Sequence, residues 1–267
     1  MSMFQYFSDD EYRQVFTEFE GIRGRIADLL QEQANMREGT VLDLLAGHGY
    51  LTAELARVFR GATIYATGLS NDLQSFLTLQ SSEEYPLSTW ENVNYTECDV
   101  TSLPFDDLYF DLVANFLGLE DVMMTRGEEG LISVFSEVAR VLKTGGVFEM
   151  SVVEYEGSPE ERIAEEVWST IGLNAVFLDR EFYIMQAEKN GLVQKGESLF
   201  TIRKKMTYHQ ASEELRFACE EAPRIFKEYG VTAINFSELM EQFGPRIRKH
   251  GMAYYPNIRA LIFQKEV

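Results

Sequence analysis

The sequence predicts a doubly wound α/β fold with a mostly parallel sheet. Short apolar runs alternate with amphipathic helical segments through residues 1–153, which implies right-handed crossovers and a parallel sheet covered on both faces. The run FDLVANF at residues 110–116 is nearly all apolar, as is typical of a strand buried on both faces. Gly47 and Gly49 separate the first apolar run from the helical pattern after it, which indicates a strand, a turn and a helix.

The elements of this first part follow from apolar periodicity and from glycine positions. Apolar residues at near-helical spacing predict helices over residues 9–32 and 51–59. The helix before the fifth strand is predicted to end at a cap formed by Gly145 and Gly146. Strands are predicted over residues 40–45, 62–67, 93–97, 110–116 and 147–153, and a further helix over residues 70–79.

The rest of the chain is predicted to be mainly helical. Pro223 and Pro245 are expected to break its longest helical block, because proline removes a backbone hydrogen bond and clashes with the preceding turn. The predicted elements are helices over 159–171 and 179–189, an extended stretch over 192–206, the helical block over 211–249 and a last strand over 259–264.

Composition limits the class of protein. The chain has 267 residues, 45% of them hydrophobic, which suffices for one large domain. Its 24 Lys and Arg against 43 Asp and Glu give a net charge of −19, a field that repels phosphate backbones, so we expect no nucleic-acid partner. Cys98 and Cys219 are far apart and predict neither a disulfide framework nor a metal site. Without a leader pattern or an apolar stretch near the ~18 residues of a membrane span, we expect a cytoplasmic protein that does not contact membranes.

The turn at residues 46–49 is the first candidate binding element. In open parallel sheets, ligands bind beyond the carboxyl ends of the strands, and this turn follows the first strand. Its glycines allow the backbone to approach a ligand without interference from a Cβ atom. Taken alone, two glycines fit a plain strand-to-helix loop equally well.

Four motifs in succession resemble those of class I S-adenosylmethionine-dependent methyltransferases. They are DLLAGHG at residues 43–49, CDVTSLPF at 98–105, FDLV at 110–113 and ARVLKTGG at 139–146, and the resemblance covers residues 40–153. It implies a Rossmann-like methyltransferase fold with seven strands, a helical insertion that acts as a lid, and S-adenosylmethionine as the cofactor.

The resemblance also implies a role for several residues. Asp43 corresponds to the residue that helps to fix the ammonium group of the cofactor, and Asp99 to the one that accepts a hydrogen bond from the adenine amino group. Val100 would donate to an adenine ring nitrogen, and Leu69 would pack against the adenine face. The predicted cofactor-binding residues are Asp43, Ala46, Gly47, His48, Gly49, Leu69, Asp99, Val100, Asn115 and Phe116.

Two positions depart from the pattern of the family. Leu45 stands where glycine is usual, which affects local packing. Gly68 stands at the end of the second strand, where these enzymes have an acidic residue that holds the ribose hydroxyls. The candidates to replace that residue are Thr67, Ser70, Asn71 and Asp72, and the alternative is a ribose that is held less tightly.

The acceptor side is predicted from position along the chain. Glu120 follows the fourth strand, where the family places residues that face the acceptor, and we expect it to be the catalytic residue; the alternative is an exposed loop carboxylate. Tyr6, Tyr12 and Tyr255 are the candidate substrate-binding residues. His48 is expected to shape the turn rather than to transfer protons.

We therefore expect a single methyltransferase domain over residues 1–267. Its expected parts are an N-terminal helical cap at 1–35, a cofactor-binding core at 40–153 and a helical insertion over the acceptor site at 208–251. The expected activity is S-adenosylmethionine-dependent methyl transfer to a small molecule. The alternatives are a non-catalytic cofactor-binding or partner protein, and a dinucleotide-dependent oxidoreductase, which would need a glycine at Thr52 and an acid at Gly68. The acceptor molecule and atom, the use of a general base and the oligomeric state are left open.

Overall fold

The computed structural model describes residues 9–34, 36–173, 178–202, 205–253 and 257–266; within them, residues 9–20, Asn71, Ile225 and Glu228 are described by their backbone only. The strands are β1 (Glu38–Asp43), β2 (Gly61–Gly68), β3 (Val93–Glu97), β4 (Phe110–Phe116), β5 (Leu142–Glu154), β6 (Leu192–Thr201), β7 (Lys205–Met206), β8 (Met252–Ala253) and β9 (Asn257–Lys265). The helices are α1 (Asp9–Ala34), α2 (Tyr50–Val58), α3 (Ser70–Gln80), α4 (Leu119–Val141), α5 (Pro159–Ile171), α6 (Arg180–Lys189), α7 (Tyr208–Glu220), α8 (Ala222–Ile225) and α9 (Phe236–His250).

The main sheet confirms the predicted fold class. Its seven strands, all within the described part of the chain, have the order β3-β2-β1-β4-β5-β9-β6. The strands β1 to β5 pair in parallel, whereas β9 is antiparallel to both β5 and β6. The carboxyl ends of β1 to β4 therefore lie side by side at one edge of the sheet.

Most predicted elements agree with the structure, and two details were wrong. Helix α4 ends at Val141, and Gly145 and Gly146 do not cap it. The pairing of β5 with β4 shifts between Leu142 and Val147, so the two glycines lie in a bulge of β5. A bulge and a helix cap both favour a residue with a positive φ, which glycine adopts readily. Gly145 has a φ of 79°.

The second error concerns Pro245, which lies inside α9 without ending it. Leu239, Phe243 and Ile247 are buried on one face of this helix, and their packing maintains the helix on both sides of the proline. Glu241, whose carbonyl loses its usual N–H partner, is exposed, so water can replace the missing bond. Pro223, as predicted, marks a break, because it lies in the first turn of the short helix α8, which follows α7.

Helices cover both faces of the sheet. On one face Ile26 and Leu30 of α1 join a core with Val41, and on the other Phe135 of α4 packs edge-on against Phe148. Helices α7 to α9 are inserted between β7 and β8, which pair with each other at the base of this segment. In the part of the chain described above, no helix is both long and apolar enough to cross a membrane.

Candidate functional site

The carboxyl ends of β1 to β4 border a cavity of about 370 Å³. This volume is in the range of small-molecule sites. One wall comes from the loops after these strands and from the start of α4, and the opposite wall comes from α5, α7 and α8. Arg23 of α1 completes the lining. The cavity thus lies between the sheet and the inserted helices.

The turn after β1 has the backbone conformation that its glycines predict. Gly47 and Gly49 have φ values of 52° and 90°, and a Cβ atom at Gly49 would lie 2.7 Å from the ring of Phe76. Leu45 also has a positive φ, 62°, which is a strained conformation for a leucine. Leu45 therefore departs from the family pattern in its side chain but adopts a backbone geometry typical of glycine. The amide of Ala46 donates to the carbonyl of Thr67 at 2.7 Å, which fixes the turn to β2.

Asp43 brings an unused hydrogen-bond acceptor to the cavity. Its side chain is 1% exposed, and its Oδ2 accepts a hydrogen bond from the hydroxyl of Thr52 at 2.5 Å. Its Oδ1 is buried and has no partner among the described residues. Burial raises the pKa of Asp43 to about 7, although Thr52 and the charge of Arg23 oppose the rise. A ligand that donates a charged hydrogen bond would satisfy this oxygen.

His48 and Asn115 support the site in different ways. His48 lines the cavity, and burial lowers its pKa to about 4, so it is neutral. Asn115 is fully buried and is not part of the lining, and its expected contact with the cofactor stays a prediction. Its Nδ2 donates to the carbonyl of Leu44 at 2.6 Å, and its Oδ1 accepts from the amide of Gly118 at 3.4 Å. Asn115 therefore connects the loops after β1 and β4 from behind the wall.

Asp99 lies at the other end of the row of strands, after β3. Its Oδ1 accepts from the amide and the hydroxyl of Thr101 at 3.0 and 2.7 Å, and its Oδ2 accepts from Arg126 at 2.5 Å. The guanidinium of Arg126 also lies 4.8 Å from the ring centroid of Tyr229, next to the inserted helices. Thr101 and Arg126 together lower the pKa of Asp99, so it is ionised. The other predicted residues Leu69, Val100 and Phe116 line the same cavity.

Glu120 lies in the first turn of α4 and not in an exposed loop. It lines the cavity, and its Oε2 is buried without a partner among the described residues. Burial raises the pKa of Glu120 to about 7. A carboxyl with this pKa can accept a proton near neutral pH.

Sequence reasoning missed part of the wall opposite the turn. The aromatic composition of the insertion had indicated five residues without distinguishing between them. Phe217, Phe226 and Tyr229 line the cavity, whereas Phe236 and Phe243 do not. Glu214 of α7 had no sequence signal. It lines the cavity and makes no hydrogen bond or ion pair with the described residues, and burial raises its pKa to about 7. Among the further lining residues that were missed are Arg23, Arg126, Trp168, Leu173, Ala218 and Ala222.

The predicted substrate-binding tyrosines are not tested by the structure. Tyr6 and Tyr255 lie outside the described residues, and Tyr12 lies in α1 where only the backbone is described. Their contact with an acceptor stays a prediction.

The comparison with protein families gives a match to the first part of the sheet and its helices. A family model described as "Methyltransferase domain" matches residues 42–150. A ubiquinone/menaquinone biosynthesis C-methyltransferase UbiE of Psychromonas ingrahamii is 37% identical over 127 residues, which are 46% of this chain and 47% of that protein. The UbiE of Shewanella pealeana is 33% identical over 138 residues, 51% of each protein. The chain spans about half the length of the curated relatives that it matches.

Solved structures show the same fold over most of the chain. A putative methyltransferase from Bacillus halodurans superposes with a TM-score of 0.57 at 16% identity and covers 91% of this chain and 99% of its own. A putative sarcosine dimethylglycine methyltransferase from Galdieria sulphuraria gives a TM-score of 0.59 at 18% identity, with 95% of this chain and 88% of its own covered. At these identities the likeness establishes the fold alone.

Proposed function

We propose that the chain transfers the methyl group of S-adenosylmethionine to a small-molecule acceptor, because a family model described as "Methyltransferase domain" matches residues 42–150. The observation that carries the proposal is a single cavity with two unlike walls. The strand ends supply glycines and carboxylates, whereas α5, α7 and α8 supply mainly apolar and aromatic side chains. A polar cofactor and an apolar acceptor can therefore meet in one enclosed space.

The residues at the strand ends fit the cofactor. S-adenosylmethionine has an ammonium group at one end and a sulfonium in the middle, and the cavity has acidic side chains along this wall. Oδ1 of Asp43 is an acceptor suited to an ammonium group, since it is buried and none of the described residues donates to it. Leu69 and Val100 offer apolar surface for the adenine, and Asp99 offers a carboxylate to its amino group.

When bound, the cofactor supplies a methyl group that a nucleophile can attack. The task of the protein is then to hold the acceptor in line with the sulfur, to exclude water and to accept a proton where the acceptor carries one. Trp168, Phe217 and Phe226 supply the apolar surface for the first two tasks. We propose Glu120 for the third, because its buried Oε2 has no partner within the described ranges and its pKa is raised to about 7.

The charges of the wall favour a neutral or cationic acceptor over an anionic one. Among the described residues that line the cavity, Arg23 and Arg126 are the two permanently cationic side chains. Arg23 lies over the rings of Tyr50 and Phe116, and Arg126 is paired with Asp99. Glu120 and Glu214 face the same space. An acceptor with a phosphate group would thus meet more negative than positive charge.

The proposal is tested by cofactor binding followed by product detection. At about 100 times its dissociation constant, S-adenosylmethionine adds roughly 2.7 kcal/mol to stability, which raises the melting temperature of a chain of this size by about 5–10 °C. We then expect label from S-adenosylmethionine carrying a labelled methyl group to appear in a small molecule of a metabolite extract, detected by mass spectrometry.

The other readings give different results in the same experiment. Absence of a thermal shift at millimolar S-adenosylmethionine would reject the proposal, and a larger shift with NADH would favour an oxidoreductase. Binding of the cofactor without any labelled product would favour a non-catalytic protein with this fold. Asp43→Asn is the matched control, since it keeps the size of the side chain and should reduce the shift.

A further inference from the structure

The end of β2 carries no side chain of its own at the cavity. Gly68 is the last residue of β2, and a Cβ atom there would lie 2.4 Å from the hydroxyl of Tyr95. That hydroxyl donates to the carbonyl of Leu69 at 2.8 Å, so Tyr95 is held in this position. A larger residue cannot replace Gly68 unless Tyr95 moves.

A carboxylate from α3 reaches the same place. Oδ2 of Asp72 lies 3.3 Å from the point that a Cβ atom of Gly68 would occupy, and it accepts a hydrogen bond from the amide of Leu69 at 3.1 Å. Asp72 lines the cavity, and its Oδ1 makes no hydrogen bond with the described residues. Its carboxylate is therefore oriented by one oxygen while the other is available to a ligand.

The order of the strands determines which part of the cofactor meets Asp72. S-adenosylmethionine is an extended molecule in which the ribose lies between the amino-acid part and the adenine. Asp43 ends β1, Asp99 follows β3, and β2 lies between these two strands in the sheet. A cofactor that reaches from Asp43 to Asp99 must cross the end of β2 with its ribose.

We propose that Asp72 binds the ribose hydroxyls of the cofactor from the first turn of α3, in place of a side chain at the end of β2. The inference rests on the cofactor part of the proposed function. A carboxylate accepts hydrogen bonds from a vicinal diol, the way in which acidic residues recognise ribose in other dinucleotide-binding folds. Burial raises the pKa of Asp72, and hydroxyl donors would compensate its desolvation.

The other candidates near the end of β2 are less suitable. Thr67 is fully buried, and its hydroxyl is used by the amide of Leu45 and the carbonyl of Asp43. Ser70 is exposed and does not line the cavity. Among the candidates whose side chains the structure describes, which do not include Asn71, Asp72 is thus the residue that combines a free oxygen with access to the ligand.

The test compares ligands that differ in one hydroxyl. Calorimetry would measure the affinity of the full chain for S-adenosylhomocysteine and for its 2′-deoxy and 3′-deoxy analogues, in the wild type and in Asp72→Asn. Asparagine still accepts the hydrogen bond from Leu69, so α3 keeps its start. We expect Asp72→Asn to lower the affinity for S-adenosylhomocysteine by about 10- to 100-fold, the range for hydrogen bonds to a charged group. It should leave at least one deoxy analogue within about 3-fold of its wild-type affinity.

Ser70→Ala is the control, because Ser70 begins the same helix but is exposed and does not line the cavity. It should keep the preference for the ribose diol. Equal losses for S-adenosylhomocysteine and both deoxy analogues in Asp72→Asn, or no loss at all, would overturn the assignment of Asp72. Failure of the wild type to bind S-adenosylhomocysteine would instead overturn the proposed function, and with it this inference.

Discussion

The hydroxyl of Thr52 lies 2.5 Å from Oδ2 of Asp43, and Oδ1 of the same carboxyl is buried with no hydrogen-bond partner in the described part of the chain. The helix after the glycine turn thus orients the acid at the end of β1. Because the desolvated carboxyl has a pKa raised to about 7, it is largely protonated at pH 6 before a ligand binds.

The first prediction is that cofactor binding releases a proton through Asp43. The ammonium group of the ligand favours the ionised carboxyl, so affinity should rise as the pH increases towards about 7 and then level off. Calorimetry at pH 6 in two buffers with different ionisation enthalpies measures the release. Asp43→Asn should reduce both the release and the affinity. An unchanged proton release in this variant would mean that another group loses the proton. Glu149, a neighbour of Asp43 whose pKa is raised to about 8, would then be the group to test.

The second prediction concerns Asp99 and its partner Arg126. If Asp99 accepts a hydrogen bond from the adenine amino group, Asp99→Ala should weaken the binding of S-adenosylhomocysteine by about 1–3 kcal/mol. Arg126→Gln removes the ion pair and keeps the carboxylate, so its affinity should stay within a few fold. Calorimetry measures both variants, with circular dichroism as a check of the fold. Equal losses in the two variants would mean that Asp99 acts through the ion pair and not on the adenine.

The third prediction separates the acceptor wall from the cofactor wall. Phe217→Ser and Phe226→Ser remove apolar surface that faces the cavity, and we expect them to reduce product formation at least 10-fold while S-adenosylhomocysteine affinity changes by only a few fold. Phe236→Ser is the control, since Phe236 belongs to the same inserted segment but does not line the cavity. A parallel loss of cofactor affinity and turnover would show that these helices complete the cofactor site instead.

The fourth prediction distinguishes two half-buried carboxylates of the acceptor side, Glu120 and Glu214. Glu120 and Glu214 both have a pKa raised to about 7, so an unprotonated base at either position gives a kcat that rises with pH through this value. Glu120→Gln should abolish this rise of kcat with pH, and Glu214→Gln should keep it. The reverse result would make Glu214 the proton acceptor. If kcat still rose with pH in both variants, neither residue would be the proton acceptor.

The fifth prediction is a steric coupling between Gly68 and Tyr95. Gly68→Ala should destabilise the protein by about 1–3 kcal/mol, because the added methyl group would meet the hydroxyl of Tyr95 at 2.4 Å. In a Tyr95→Phe background the same substitution should cost clearly less, and denaturant unfolding of the four proteins gives the coupling energy. Additive effects would show that the hydroxyl does not limit residue 68.

The sequence by itself determined the order of elements and the class of the fold, because apolar periodicity and glycine turns are local signals. β3 and β4 have the predicted bounds, 93–97 and 110–116, and the turn at Gly47 and Gly49 has the predicted backbone conformation. The motif resemblance also placed Asp43, Leu69, Asp99 and Glu120 at one cavity.

Only the tertiary structure decided how each side chain is used. Whether Gly145 caps a helix or lies in a bulge depends on the pairing of β5 with β4, and whether Pro245 ends α9 depends on the packing of its buried face. Glu214 reaches the cavity from a helix that is distant in sequence, and its burial there raises its pKa. Desolvation and the partners of a side chain come from residues far along the chain, and a local pattern carries no information about them.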